Sequence, residues 1–107
     1  MEELQLAAFE MIAVIGKSKS CFFEAVSLAR AGKMKEAKES LQEGNQVLAQ
    51  AHQHHFSFIQ KEASGEVLPY SIIFMHAEDQ LLTTGMLKEM CEQLMQVYMD
   101  MNQLKQT

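Results

Sequence analysis

The sequence predicts an all-α protein, an antiparallel three-helix bundle that self-associates through its third helix. Three observations lead there. Ala, Leu, Met, Glu, Gln and Lys, all strong helix formers, dominate a chain of 107 residues that holds one proline and five glycines. Strong breakers cluster at two places, so three long segments remain. Each segment carries apolar residues at alternating spacings of three and four, the pattern of long helices packed side by side at about 20°.

The first segment reads Leu4, Ala8, Met11, Ile15, Ser18, Phe22, Ala25 and Ala29 along one face, and Arg30-Ala31-Gly32-Lys33 places a glycine just beyond it at a C′ position. The second reads Met34, Ala37, Leu41, Gly44, Leu48, Ala51, His55 and Phe58, and ends in Ser64-Gly65-Glu66-Val67-Leu68-Pro69, whose proline suits the opening of the next helix. The third reads Ile72, Met75, Asp79, Leu82, Met86, Met90, Val97, Met101 and Leu104. Short connections force an up-down-up order of helices about 45 Å long. The third segment also carries Ile73, Leu81, Leu87, Leu94 and Tyr98 off its main seam. Two neighbouring helices cannot cover a helix that is apolar around most of its girth. Self-association through this helix supplies the cover, and a trimer would place three copies of it on one axis.

Residues 1–107 read as one domain, in which 48% of residues are hydrophobic. The net charge is −5 and no basic stripe exists, which argues against nucleic acid as a partner. Cys21 and Cys91 are isolated and read as reduced thiols of a cytosolic protein. The start Met1-Glu2-Glu3 lacks the basic region of a signal peptide, and no apolar run approaches the ~18 residues of a membrane span. A cytoplasmic protein is expected.

Asp79 interrupts the third seam. A carboxylate buried there needs a proton, a metal ion or a cation, since an uncompensated buried charge costs several kcal/mol. His76 lies three residues earlier on nearly the same face. An imidazole beside a carboxylate can attack a phosphoryl group and later release it, because the P–N bond is labile and the protein supplies mainly position and charge. Spacing alone favours the plainer reading, a solvated histidine and a hydrogen-bonded aspartate. His52 and His55 stand at the i, i+3 spacing of a metal pair, yet no Glu-x-x-His accompanies them, so helix-surface roles are favoured for them and for His54. His55, within the second seam, requires a buried partner. The nine methionines read as adaptable core filling.

The run His76-Ala77-Glu78-Asp79-Gln80-Leu81-Leu82-Thr83 resembles the His-Ala-Gln-Asp-His-Leu-Met-Thr signature of the lactose/cellobiose-type enzyme IIA family of the sugar phosphotransferase system. Ala51-His52 with Phe58-Ile59-Gln60-Lys61-Glu62-Ala63-Ser64-Gly65 is similar to that family's second helix, and Gly16, Glu24-Ala25 and Ala31-Gly32 to its first hairpin. The resemblance implies a homotrimer of three-helix bundles. It implies that His76 receives phosphate from HPr and passes it to a cysteine of a cognate enzyme IIB, while enzyme IIC takes up a β-linked disaccharide. It implies that Asp79 from three chains meets near the trimer axis and binds a divalent metal ion such as Mg2+, with no organic cofactor.

Gln80 replaces the family's usual second histidine, Glu78 replaces glutamine, and His55-Phe56 stands where the family has Gln-Thr. Glu78 adds negative charge beside a site meant for a phosphoryl group of about −1.5 to −2. The alternative is therefore a regulatory or interaction module derived from the same family. Two other classes share parts of the pattern. A tetratricopeptide-like binding module would explain the Ala-Gly hairpin but requires repeats that do not recur. A histidine phosphotransfer domain shares the chemistry but uses four helices.

Overall fold

The computed structural model describes residues 2–106; Met1 and Thr107, the ends of the expected domain, lie outside the described residues. Three helices account for nearly all of it: α1 (Glu2–Arg30), α2 (Met34–Ala63) and α3 (Ile72–Gln106), with no strand among the described residues. They form a rod of 61 × 20 × 18 Å. Cross-links fix the order. Lys61 reaches Glu3 and His55 reaches Glu78, so α2 runs against both neighbours; Asn102 donates to the Ala29 carbonyl, so α1 and α3 run parallel.

Both connections are glycine-terminated helix ends. After α1, Gly32 adopts φ +83, and the N–H groups of Gly32 and Lys33 bond back to Ala29 and Leu28 at 3.0 and 2.9 Å. After α2, Gly65 adopts φ +97, with Gly65 and Glu66 bonding back to Glu62 and Lys61 at 3.0 and 3.1 Å. The left-handed residue satisfies carbonyls that a helix end leaves free, and glycine adopts it without a Cβ penalty. The expected helix-opening role of Pro69 is not what is found. α3 begins at Ile72, and the Ser71 hydroxyl accepts from the Phe74 N–H at 3.2 Å, so a serine cap starts the helix.

α1 is central. It packs against both other helices, which meet each other sparingly. All eight positions of its predicted seam are buried. Ser18 belongs there because its hydroxyl donates to the Gly44 carbonyl at 2.9 Å, while Ser40 of α2 donates to the Cys21 carbonyl at 2.7 Å. These two bonds draw α1 and α2 so close that a Cβ on Gly44 would stand 2.7 Å from the fully buried Phe22 ring.

α3 departs from the expected seam. Its buried stripe is Phe74, Ala77, Leu81, Thr84, Cys91 and Met95. The predicted stripe faces away from the bundle: Ile72, Met75, Leu82, Met86, Met90, Val97, Met101 and Leu104 are all exposed. Asp79, on that stripe, is exposed too, which corrects the expectation of a carboxylate buried inside the bundle. The reason is packing distance. Small residues such as Ala77 and Thr84 let α3 approach α1 closely, and the bulky side chains are left on the far side.

Candidate functional site

The site is built on the first two turns of α3, whose start is fixed by the Ser71 cap. Phe74 and Ala77 anchor those turns in the core, and the Phe74 ring packs edge-on against Phe58 of α2, with centroids 5.4 Å apart. His76 and Asp79 therefore project from the opposite side. Both are exposed, and at 100° per residue they stand about 60° apart around the helix. The His76 imidazole has no hydrogen-bond or ion-pair partner among the described residues. No bond joins it to Asp79; the Asp79 backbone carbonyl accepts from Thr83 Oγ1 at 2.9 Å. A free, exposed imidazole on a rigid helix can approach a phosphorylated group on another molecule, a geometry that a buried histidine lacks.

The partner that His55 requires is Glu78. His55 Nε2 lies 2.7 Å from Glu78 Oε2, and with Nε2 protonated the ring donates to the carboxylate. The His55 ring stacks on Phe74 at 6.0 Å and 25°, so packing holds it in place for the bond. Two of the residues that depart from the family signature are thus partners of each other. The pair ties α2 to α3 and occupies the Glu78 carboxylate on the flank of α3 away from His76.

On the His76 flank, Lys19 of α1 donates to Gln80 Oε1, and both side chains are partly buried. Gln80 is one helical turn beyond His76, so the two share a face. At the end of the bundle, Lys61 bonds Glu3 at 2.8 Å and lies 4.9 Å over the Phe58 ring. The hydrogen bond from Lys61 holds the Glu3 carboxyl below its ordinary range, and Glu3 in turn raises the Lys61 ammonium. Burial pushes the Cys21 and Cys91 thiols up, which keeps them protonated and unreactive.

Among the described residues, no group of three or more His, Cys, Asp or Glu is placed to hold a metal ion. Asp79 is the sole carboxylate on its stripe near His76, so a metal site there needs carboxylates from further chains. His52 has no bond to His55, whose imidazole is engaged by Glu78. No helix among the described residues is long and apolar enough to cross a membrane. The Lys19–Gln80 and His55–Glu78 links were invisible in the sequence, where only the requirement for a His55 partner gave a signal.

The family model for the lactose/cellobiose-specific IIA subunit of the phosphotransferase system (PTS) matches residues 6–99. The lactose-specific EIIA component of Staphylococcus aureus is 40% identical over 97 residues, which is 91% of this chain and 94% of that protein. The crystal structure of the PTS cellobiose-specific enzyme IIA from Bacillus anthracis is 29% identical with a TM-score of 0.88, covering 92% of this chain and 91% of that one. The Escherichia coli IIA(chitobiose), solved in complex with HPr, shares the fold with a TM-score of 0.82 at 22% identity, covering 95% and 99% of the two chains.

Proposed function

The chain belongs to the lactose/cellobiose-specific IIA family of the sugar phosphotransferase system, and on that premise we propose that it is a phosphoryl carrier working through His76. The observation that carries this reading is the His76 imidazole, exposed and unpartnered on α3, within a His76-Ala77-Glu78-Asp79 run inside the matched segment.

The unprotonated ring nitrogen of His76 attacks the phosphorus of a phosphohistidine on HPr. The new P–N bond forms as the donor's P–N bond breaks, and the donor imidazole leaves with the bonding pair. In the second step a cysteine thiolate of the cognate IIB attacks the same phosphorus, an S–P bond forms, and the His76 imidazole is released. Neither step needs a further general acid, because each phosphorylated ring carries a proton on its other nitrogen and so leaves as neutral imidazole; the protein contributes position and charge. The IIC subunit then takes up the sugar. Relatives described as lactose-, cellobiose- and chitobiose-type support a β-linked disaccharide. The carrier acts in the cytoplasm, where HPr and the IIB cysteine are found.

The working form is a homotrimer with three α3 helices at its centre. The long exposed apolar stripe of α3 supports this, since a single chain leaves it in water. Asp79 lies on the centre line of that stripe, so a threefold axis would bring three carboxylates together. Such an oxygen donor set suits a hard cation such as Mg2+, completed by water. Its role is to offset converging charge, and no chemical step passes through it.

Incubation with enzyme I, HPr and phosphoenolpyruvate, followed by intact mass, tests the reading. The wild-type chain gains one acid-labile, base-stable phosphate and His76→Ala gains none. A well-folded wild-type chain that gains none refutes it.

A further inference from the structure

A phosphoryl group on His76 sits in unfavourable surroundings. The chain carries a net charge of −5, Asp79 lies on the adjoining stripe, and the group itself brings about two more negative charges. Two lysines are poorly placed to balance it. Lys61, at the same end of the bundle, is already paired with Glu3. Lys88 lies three turns along α3, about 18 Å away at 1.5 Å per residue.

Lys19 is differently placed. It comes from α1, is partly buried, and crosses to α3 to donate to Gln80 Oε1. Among the described residues no carboxylate forms an ion pair with it. Gln80 stands one turn beyond His76, and helical side chains lean toward the helix N-terminus. The Gln80 amide therefore extends over the turn that carries His76, and it holds the Lys19 ammonium there. A neutral amide leaves the ammonium's charge uncompensated. A phosphoryl oxygen, which is charged, is the stronger acceptor and outcompetes the amide.

Building on the reading of His76 as the carrier, we propose that Lys19 and Gln80 form its phosphoryl clamp: the Lys19 ammonium turns from Gln80 to the phosphoryl oxygens, while the Gln80 amide N–H groups donate to the same oxygens. The hydrogen bond between Lys19 and Gln80 is the resting state of the clamp. It keeps a long, flexible side chain in position before phosphate arrives. The glutamine at residue 80 thus stores the lysine when the site is empty and binds phosphate when it is loaded.

The test compares wild type, Lys19→Gln, Lys19→Arg and the exposed control Lys17→Gln, each phosphorylated by enzyme I, HPr and phosphoenolpyruvate. Initial rates are resolved into kcat and KM for phospho-HPr, and the 31P resonance of the product is recorded. Lys19→Gln lowers kcat about 10- to 100-fold, the usual worth of a charge-assisted hydrogen bond, with KM little changed. Lys19→Arg restores most of the rate, Lys17→Gln matches wild type, and the 31P resonance moves in Lys19→Gln alone. An unchanged kcat in Lys19→Gln overturns the clamp while leaving the carrier reading intact. So does a loss confined to KM, which would place Lys19 against the donor protein, or a failure of arginine to rescue. A wild-type chain that takes no phosphate overturns the carrier reading itself, and the clamp with it.

Discussion

Placing a charge in the middle of the exposed α3 stripe should dismantle the proposed trimer without unfolding the chain. Met86 is 61% exposed and Met90 54%, with Leu82 at 72% on the preceding turn. Fully burying a methionine contributes about 1.5–3 kcal/mol, so covering the exposed part of Met86 contributes about 1 kcal/mol per chain. In Met86→Lys that contribution is lost, and each ammonium brought to a closed axis costs several kcal/mol in desolvation. Over three copies the penalty is on the order of 10 kcal/mol, equivalent to about seven decades in the assembly constant. Within a single chain Met86 is largely in solvent, so helicity should change little, while the urea midpoint should fall toward that of the unassembled chain because the stabilisation lent by assembly is lost. Sedimentation velocity at micromolar concentration should show a trimer for wild type and a monomer for Met86→Lys, with matching circular dichroism spectra. A variant that sediments as wild type does, or a wild-type monomer, would refute the assignment of this stripe as the assembly face.

Gly44→Ala should destabilise the chain by about 1 kcal/mol in urea unfolding. The new Cβ would stand 2.7 and 2.8 Å from the Phe22 ring and 3.0 Å from Cys21 Cβ. Overpacking of about 1–3 kcal/mol outweighs the ~1 kcal/mol gain in helix propensity, and a more stable variant would contradict the close approach of α1 and α2. His55→Gln and Glu78→Gln should show a coupling of about 0.5–1 kcal/mol in a double-mutant cycle, since both side chains are still partly solvated. Additive effects would mean that the pair is incidental. The raised Cys21 and Cys91 thiols keep protons that the unfolded chain releases. Stability should therefore fall as pH rises above the ordinary thiol value of 9.0, and replacing both cysteines by alanine should flatten that fall. An identical pH profile in the variant would exclude the thiols as its source.

The three helices and the C-terminal ends of α1 and α2 could be read from the sequence because local rules govern them, whereas the start of α3 was assigned to Pro69 and is set by Ser71 instead. Gly32 and Gly65 terminate helices where glycine is the residue that tolerates positive φ. The α1 seam was legible in full because α1 is the central helix and its apolar face has both neighbours to pack against. On α3, periodicity found the stripe but not the side it faces. Both stripes of α3 have helical spacing, and the bulkier one points outward. Hydrophobicity ranks Ile72 and Met86 above Ala77 and Thr84, whereas close helix packing ranks them the other way. Thr84, fully buried with an unpartnered hydroxyl, shows how strongly size was favoured over polarity there. His76 and Asp79 were found through their spacing and the signature around them. Their neighbours from other helices were not, because Lys19 lies 61 residues from Gln80 and His55 lies 23 from Glu78. Such pairs are set by how the helices align, which no local pattern encodes.

The central claim is that the phosphoryl group travels through the His76 ring. Transfer of labelled phosphate from phospho-HPr to the chain and on to a cognate IIB, with the label mapped by peptide mass spectrometry under alkaline conditions, tests it most directly. The account predicts label on the His76 peptide before IIB is added, its loss as the IIB cysteine gains label, and neither event in His76→Ala, whose exposed substitution leaves the helices intact. Label at another residue, or continued transfer to IIB in His76→Ala, would contradict it.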